Sequence, residues 1–214
     1  MGNQLDHTPR RLFPRGDLRK TLLEAGIELA RNGGPRAVVL REATRRAGVA
    51  PNAAYRHFSS HADLLKAVRA AALSSLALAI EAEMAVATKC VGSPVERARM
   101  SLRAVGTGYL KFALTEPGLF RTAFSTTDPV EGDVDAAKTG DSGLNPFQLL
   151  GFALDLLVET GVLSQERRSG AEYLAWSAVH GFAFLILEGP LNHASPSEIG
   201  KLSDRLLQMV ERGL

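Results

Sequence analysis

The sequence contains a single cysteine, Cys90, so it cannot form an intramolecular disulfide. It has no apolar run approaching the roughly 20 residues of a membrane span, and its N-terminus lacks the apolar core of a signal peptide. A hydrophobic fraction of 45% still gives the 214 residues enough material for a buried core. We therefore expect a soluble, cytoplasmic protein in which Cys90 packs as a small apolar residue, with a redox role for its thiol as the alternative.

Catalytic motifs are also missing. The sequence has no nucleophile elbow, no paired carboxylates, no cluster of metal ligands and no phosphate-binding loop. These absences argue against the enzyme classes that such motifs mark, and they predict no metal and no cofactor. One enzymatic hypothesis remains, in which His180 acts as acid or base on a small apolar molecule, although His180 has no identifiable partner in the sequence.

No stretch alternates apolar and polar residues as a half-buried strand does, whereas apolar residues recur at helical spacing. The sequence therefore predicts an all-α fold with helices at 15–32, 40–47, 51–58, 61–88, 94–115, 119–124, 146–160, 169–188 and 197–212. Residues 125–145 carry turn-forming and acidic residues without periodicity, which predicts a mobile loop at an entrance to the interior.

Charge is distributed unevenly along the chain. Residues 1–69 hold 13 Lys+Arg against 6 Asp+Glu, a net charge of +7, and the remainder holds 12 against 17, a net charge of −5. The basic part suits a partner that carries phosphates, with an ordinary solvated surface as the alternative. A structural helical dimer that does not bind DNA would leave this charge without a role.

The basic part contains a helix-turn-helix pattern at 39–58. Gly48 can adopt the positive φ that ends one helix and turns the chain, and Pro51 is tolerated in the first turn of the next. The second helix would bury Ala54 and Phe58 and leave Asn52, Tyr55 and neighbouring polar residues outside. A helix with these outward side chains suits the major groove of DNA.

At these residues the chain resembles the TetR family of transcriptional regulators, whose signature combines a glycine-valine turn with Tyr-x-His-Phe. Here the signature is Gly48-Val49, Tyr55-Arg56-His57-Phe58 and then Leu64-Leu65. The sequence departs from the usual family pattern at Ala43, Thr44 and His61. The segment 176–181, with its tryptophan followed by histidine-glycine, resembles one C-terminal subgroup of the family (Trp-His-Gly, or WHG, type).

The resemblance implies a three-helix DNA-binding head and a six-helix-type body that binds a ligand and dimerises. We place a disordered basic arm at 1–14, the DNA-binding domain at 15–60 and the body at 61–214. Predicted DNA contacts are Arg41, Thr44, Arg45, Pro51, Asn52, Ala53, Tyr55, Arg56, His57 and His61. For Tyr55 the alternative is a ring packed under the helix with only its hydroxyl exposed.

In the body, the resemblance implies an apolar chamber with a few polar groups that orient an effector. Predicted ligand contacts are Thr107, Tyr109, Phe112, Phe120, Phe124, Phe147, Gln148, Trp176, His180 and Phe184. Packing in the core is the alternative for each aromatic residue, and a histidine satisfied by a neighbouring hydrogen bond is the alternative for His180.

A two-fold symmetric operator requires two recognition helices, so we expect a homodimer. Apolar residues of the last two helices form the predicted interface: Leu174, Phe182, Ile186, Leu202, Leu206 and Met209. Together these features predict a ligand-responsive, homodimeric repressor. Its expected partners are a palindromic double-stranded DNA operator and a small, largely apolar effector, without a membrane, and effector binding is expected to tilt the helix that begins at His61.

Overall fold

A computed structural model describes residues 15–89, 92–126 and 132–214, and every regular element within these ranges is helical. The all-α prediction is therefore confirmed. The predicted arm at 1–14 and the predicted packing role of Cys90 concern residues outside these ranges.

Helices α1 (Arg15–Gly33), α2 (Leu40–Ala47) and α3 (Pro51–Ala54) form the head, with a 3₁₀ turn at Pro35–Ala37 after α1. Helix α3 is shorter than the predicted 51–58. The backbone N–H groups of His57 and Phe58 both donate to the carbonyl of Ala54 at 2.9 Å, which closes a turn there. Because Phe58 is buried among the head helices, this turn also directs the chain into the core.

Helix α4 (His61–Ala87) begins directly after the head, where Ser60 caps it by accepting from the backbone N–H of Asp63 at 3.1 Å. Its most apolar 18 residues have a mean hydropathy of 1.5, enough for a membrane span by length and composition. The expectation that no segment approaches this limit is therefore wrong. A central helix of a soluble protein passes the same test, and α4 packs against α1, α5, α6 and α7.

Helix α5 (Pro94–Thr115) has the predicted bounds because Ser93 and Glu96 form a reciprocal capping box at its start. It packs closely along α4 at Gly108. A Cβ at this position would lie 2.6 Å from the Cα of Ile80, so only glycine permits the two backbones to approach this closely.

Helix α6 (Pro117–Ala123) connects the body to the head a second time. Gly118 lies against the backbone carbonyl oxygens of Ala30 and Arg31, at the end of α1. Beside it, the guanidinium Nε of Arg31 donates to Glu116 at 2.8 Å. The head therefore contacts the body through α6 as well as through the continuous chain into α4.

Residues 132–145, which we call the lid, include a 3₁₀ turn at Ala136–Lys138 and lead into α7 (Pro146–Glu159). Within the expected loop at 125–145, residues 132–145 therefore form local turns and hydrogen bonds to the body. Asn145 caps α7 by accepting from the backbone N–H of Gln148 at 3.0 Å. The short helix α8 (Gln165–Arg168) follows and was not predicted.

Helices α9 (Ala171–Leu187) and α10 (Pro196–Gly213) complete the described chain. The inward face of α9 is set by apolar residues spaced three or four apart. They are Ala171, Ala175, Val179, Phe182, Ala183 and Ile186. Helix α10 buries only Leu207 fully, and its remaining apolar residues are half-buried or exposed. One face of α9 and one side of α10 are thus left outside the core.

Candidate nucleic-acid interface and interior cavity

The turn between α2 and α3 is built as the sequence predicts. Gly48 has φ 67° and ψ 32°, the left-handed conformation, and the backbone N–H of Val49 donates to the carbonyl of Thr44 at 3.1 Å. These bonds satisfy the last carbonyls of α2 and fix where α3 begins. The first turn of α3 and the end of α2 therefore lie at one surface of the head.

Most predicted DNA contacts on α2, on and after α3 and at the start of α4 are accessible. Arg41, Arg45, Asn52, Tyr55, Arg56 and His61 are exposed, and Ala53 and His57 are half-buried. Tyr55 is 57% exposed, so its ring is not packed under the helix.

Thr44 is the exception among the predicted DNA contacts. Its side chain is only 2% exposed, and its hydroxyl donates to the carbonyl of Arg41 at 2.7 Å. The prediction of a DNA contact through this side chain is wrong, because the residue lies on the inner face of α2 beside Ala43.

Glu42 joins two of the arginines on α2. Its carboxylate accepts two hydrogen bonds from Arg45, at 2.8 and 2.7 Å, and one from Arg46 at 3.2 Å. Hydrogen bonds from Arg45 first, and then from Arg46, lower the pKa of Glu42 to about 2. A carboxylate therefore remains ionised between two cations at the surface predicted to meet DNA. Glu42 was not predicted to belong to this surface, although its spacing from Arg45 and Arg46 is that of helical ion pairs.

The body contains a cavity of about 80 Å³. Its aromatic lining comes from Tyr109, Phe124, Phe147 and Trp176. The aliphatic lining comes from Leu73, Ile80, Leu102, Val105, Leu150, Val179, Leu207 and Val210, and polar residues at the boundary are Arg103, Asp133, Lys138 and Asn145. The lining is thus contributed by α4, α5, the lid, α7, α9 and α10.

A chain of hydrogen bonds joins three of the body's polar rings. The indole N–H of Trp176 can only donate, and it does so to the Tyr109 oxygen at 3.0 Å. The Tyr109 hydroxyl lies 2.7 Å from Nδ1 of His180, and a buried O–H requires an acceptor. We therefore assign the Tyr109 proton to Nδ1, which makes His180 the neutral Nε2–H tautomer.

Burial acts on both titratable members of this chain. It raises the pKa of Tyr109 well above its usual value, against a smaller lowering effect of the bond from Trp176. It also lowers the pKa of His180. Phe120 and Phe124 surround the imidazole, with ring centroids 5.6 and 4.9 Å from it. His180 is thus a hydrogen-bonded part of an aromatic cluster and is held in its neutral form.

Charged groups at the cavity boundary are already paired. Arg103 donates to Glu211 at 3.0 Å, and Lys138 pairs with Asp133 at 2.5 Å. Asn145 donates from its side-chain amide to the carbonyl of Asp133 at 3.0 Å. The cavity therefore presents a largely apolar surface, and the charged groups at its boundary are bonded to other groups of the protein.

Four of the ten predicted ligand contacts line the cavity: Tyr109, Phe124, Phe147 and Trp176. The other six lie elsewhere. Phe112 and Phe120 are core residues, and His180 is bonded to Tyr109. Thr107 donates to the carbonyl of Arg103, and Gln148 caps the start of α7. Phe184 is 57% exposed. The prediction for Phe184 is wrong because it faces away from the inward residues of α9.

The predicted interface contains the same kind of error, in which residues of α9 were assigned to the wrong side of the helix. Phe182 and Ile186 are buried in the core of the single chain, so a contact of these side chains with a second copy is wrong. Leu174 and Met209 are 64% and 60% exposed. Leu202 and Leu206 are half-buried against the core, and Leu185 is exposed near Phe184.

Comparisons with known proteins match both parts of the chain. Residues 22–68 match the family model described as bacterial regulatory proteins, tetR family. Residues 102–210 match the model described as tetracyclin repressor-like, C-terminal domain. No curated protein matches the sequence. The WHG subgroup suggested by 176–181 stays a prediction.

Solved structures have a similar fold. A protein of unknown function from Rhodococcus sp. RHA1 is 21% identical, with a TM-score of 0.71 over 97% of this chain and 99% of that chain. The TetR family transcriptional regulator PfmR from Thermus thermophilus is 19% identical, with a TM-score of 0.55 over 90% of this chain and 98% of that chain.

Proposed function

The chain belongs to the TetR family of DNA-binding transcriptional regulators, and from this premise we propose that it is a homodimeric repressor released from a palindromic operator by a small, uncharged effector. Members of the family are regulators and not enzymes, so catalysis by His180 is not its function. The main supporting observation is α4, which begins at the end of the head and lines the cavity through Leu73 and Ile80. The head and the cavity therefore share one helix.

For the DNA contacts, roles follow from side-chain chemistry. Arg41 reads guanine through two hydrogen bonds, Asn52 reads adenine, and Ala53 meets a thymine methyl group. Backbone phosphates are held by the remaining polar residues, Arg45, Tyr55, Arg56, His57 and His61. Their accessibility on α2, on and after α3 and at the start of α4 supports this assignment. Pro51 begins the recognition helix and places Asn52 in its first turn.

The dimer forms through the outward faces of α9 and α10. Leu174, Leu185 and Met209 lie there, and Ser177 and Gly181 between them leave room for a second helix to approach. Two copies paired through these helices form a four-helix interface, which suits the two-fold symmetry of a palindromic operator. Light scattering tests this pairing: Leu174→Glu is expected to give monomers, whereas Leu114→Glu, an exposed leucine on α5, leaves the dimer intact.

The cavity supports an uncharged, largely apolar effector. A carboxylate ligand would have to displace Glu211 or Asp133 from its cation, and an ammonium ligand would have to displace Arg103 or Lys138. Either exchange leaves a partly buried charge without its partner, which is costly. A neutral ligand leaves both pairs intact and meets the aromatic and aliphatic lining.

Effector binding tilts α4 and alters the separation of the two recognition helices. The effector acts only through a difference in its affinity for the two arrangements, and about 1–3 kcal/mol of coupling changes DNA affinity about 5- to 150-fold. As a regulator of transcription, the protein works in the cytoplasm. Its DNA-binding domain ends near residue 60, where α4 begins.

Selection of bound duplexes from a random DNA pool tests the proposed function. We expect a palindromic consensus, and affinity for it that falls steeply with salt because several phosphates are contacted. Asn52→Ala is expected to relax specificity at one base position, while Arg56→Ala weakens binding to all sequences. Neutral aromatic compounds that quench Trp176, the only tryptophan, are then tested for release of the duplex. Failure to select any duplex would refute the DNA-binding role, and compounds that bind without changing DNA affinity or the distance between spin-labelled heads would refute the proposed control.

A further inference from the structure

Three donors of the lid converge on one carboxylate of α4. Glu81 accepts from the backbone N–H groups of Asp141, at 2.8 Å, and Ser142, at 3.0 Å, and also from the Ser142 hydroxyl. Hydrogen bonds to an ionised acceptor are stronger than those between neutral groups. The exposed turn of the lid is therefore fixed to α4 by a single side chain.

A second bond joins the same two elements. The Ser74 hydroxyl donates to the carbonyl of Thr139 at 2.7 Å. Ser74 and Glu81 are seven residues apart, close to two helical turns, so they lie on the same face of α4. The lid is thus bonded to α4 at two levels, and most of these bonds end on Glu81.

The lid is also part of the cavity wall. Asp133, Lys138 and Asn145 line the cavity, and Asn145 begins α7. A ligand that moves these residues also moves the turn at 140–143, because the segment between them is short and bonded within itself. Glu81 bonds to this turn and belongs to α4, the helix that begins at the end of the head.

We propose that Glu81 is a positioning residue that transmits the position of the lid to α4, so that the state of the cavity reaches the head through this carboxylate. This inference rests on the proposed function, since it requires that the head binds DNA. It assigns to this side chain a route from the lid to α4, in addition to the direct contact of Leu73 and Ile80 with the cavity.

Coupling between two sites is reciprocal, so it can be measured without knowing the effector. If the position of the lid changes the DNA affinity, bound DNA must change the stability of the lid by the same factor. The amides of Asp141 and Ser142 report this stability through hydrogen exchange, because their N–H groups are released only when the Glu81 contacts break.

The experiment compares amide exchange of the full chain with and without a duplex selected from the random pool. In the wild type, bound duplex is expected to slow exchange at Asp141 and Ser142 by at least about fivefold, the lower limit of a typical coupling. In Glu81→Ala, exchange at these amides is fast, and bound duplex leaves it unchanged.

Glu83→Ala is the matched control. Glu83 lies on the same helix and pairs with Lys111 of α5 instead of the lid. This variant is expected to keep the full effect of the duplex. Should Glu81→Ala fail to fold, Ser142→Ala keeps both backbone bonds to Glu81. It removes the bond from the Ser142 hydroxyl to Glu81 and the bond that this hydroxyl accepts from the backbone N–H of Leu144, and is expected to reduce the effect.

Several results overturn the inference. One is an exchange rate at Asp141 and Ser142 that bound duplex leaves unchanged in the wild type. Another is a loss of the slowing in Glu83→Ala equal to that in Glu81→Ala. A third is full slowing by the duplex in a folded Glu81→Ala or in Ser142→Ala. A chain for which no duplex can be selected contradicts the proposed function instead, and that result appears before any exchange is measured.

Discussion

Replacing Glu42 by glutamine removes the carboxylate that holds Arg45 and Arg46 on the exposed side of α2. In the wild type, a DNA phosphate must compete with Glu42 for these two guanidinium groups. In the variant, the amide oxygen is a weaker, uncharged acceptor, so both cations are free to meet phosphates. We therefore expect Glu42→Gln to bind DNA more tightly than the wild type.

The size of the effect follows from counterion release. Each additional phosphate that the protein neutralises makes the slope of log K against log salt more negative by about 0.9, which corresponds to about eightfold tighter binding at about 0.1 M salt relative to about 1 M. Arg45 alone neutralises one such phosphate, and both arginines neutralise two. The stability of the fold is expected to change little, because the ion pairs of Glu42 are exposed to solvent.

Fluorescence anisotropy of a labelled duplex, titrated between about 50 and about 300 mM salt, measures both the slope and the affinity in a range where salt screens exposed charges. Glu24→Gln is the control, since it makes the same charge change at an exposed ion pair with Lys20 on α1. Equal slopes for wild type and Glu42→Gln would show that freeing Arg45 and Arg46 neutralises no further phosphate, which would contradict competition between Glu42 and DNA.

Three further predictions concern the body. Tyr109→Phe removes the acceptor of Trp176 and the donor to His180, so we expect it to destabilise the protein by about 2–4 kcal/mol in urea unfolding, and a cost under about 0.5 kcal/mol would contradict the hydrogen-bonded chain. Gly118→Ala places a methyl group against two backbone carbonyls of α1 and is expected to cost about 1–3 kcal/mol. The control, Gly200→Ala, has open space and is expected to stabilise α10 by roughly 0.5–1 kcal/mol, so equal unfolding midpoints for these two variants would argue against the contact. Burial lowers the pKa of His180 in the folded state, so the unfolded state binds a proton at this imidazole at a higher pH than the folded state does. The contribution of neutral His180 to stability is therefore complete above pH 6.5 and decreases as pH falls below it. His180→Asn is expected to lose less stability than the wild type between about pH 7 and about pH 5.5, and parallel pH profiles would contradict this.

Local signals were sufficient for several helix boundaries. Gly48 ends α2 and Ser93 with Glu96 begins α5, because a positive φ and a capping box are determined by neighbouring residues alone. The end of α3 was predicted too late, since the turn after Ala54 depends on the burial of Phe58 in the head. Tertiary packing therefore determines this helix end, which the local sequence pattern did not predict.

The candidate site shows the same division. Tyr109 and Trp176 were predicted at the cavity, because aromatic residues at helical spacing reach the interior of a helical body. Phe182 and Phe184 were assigned to opposite sides of α9 from those they occupy, since this helix is apolar nearly all round and its pattern does not define its phase. Lys138 was not predicted because the lid has no periodicity and is placed by bonds to a distant helix.

The glycine contact between α4 and α5 has a geometric consequence for the head. Because the backbones are in close contact at Ile80 and Gly108, α4 has no room to translate toward α5, and the proposed tilt of α4 would use this crossing as its pivot. The stretch from His61 to Ile80 extends about 28 Å beyond it at about 1.5 Å per residue. A rotation of about 5° at the pivot therefore displaces the start of α4 by about 2.5 Å, comparable to half a helical turn. In the proposed mechanism, the close contact that Gly108 permits would therefore convert a small rotation of α4 inside the body into a displacement that alters the fit of the head to DNA.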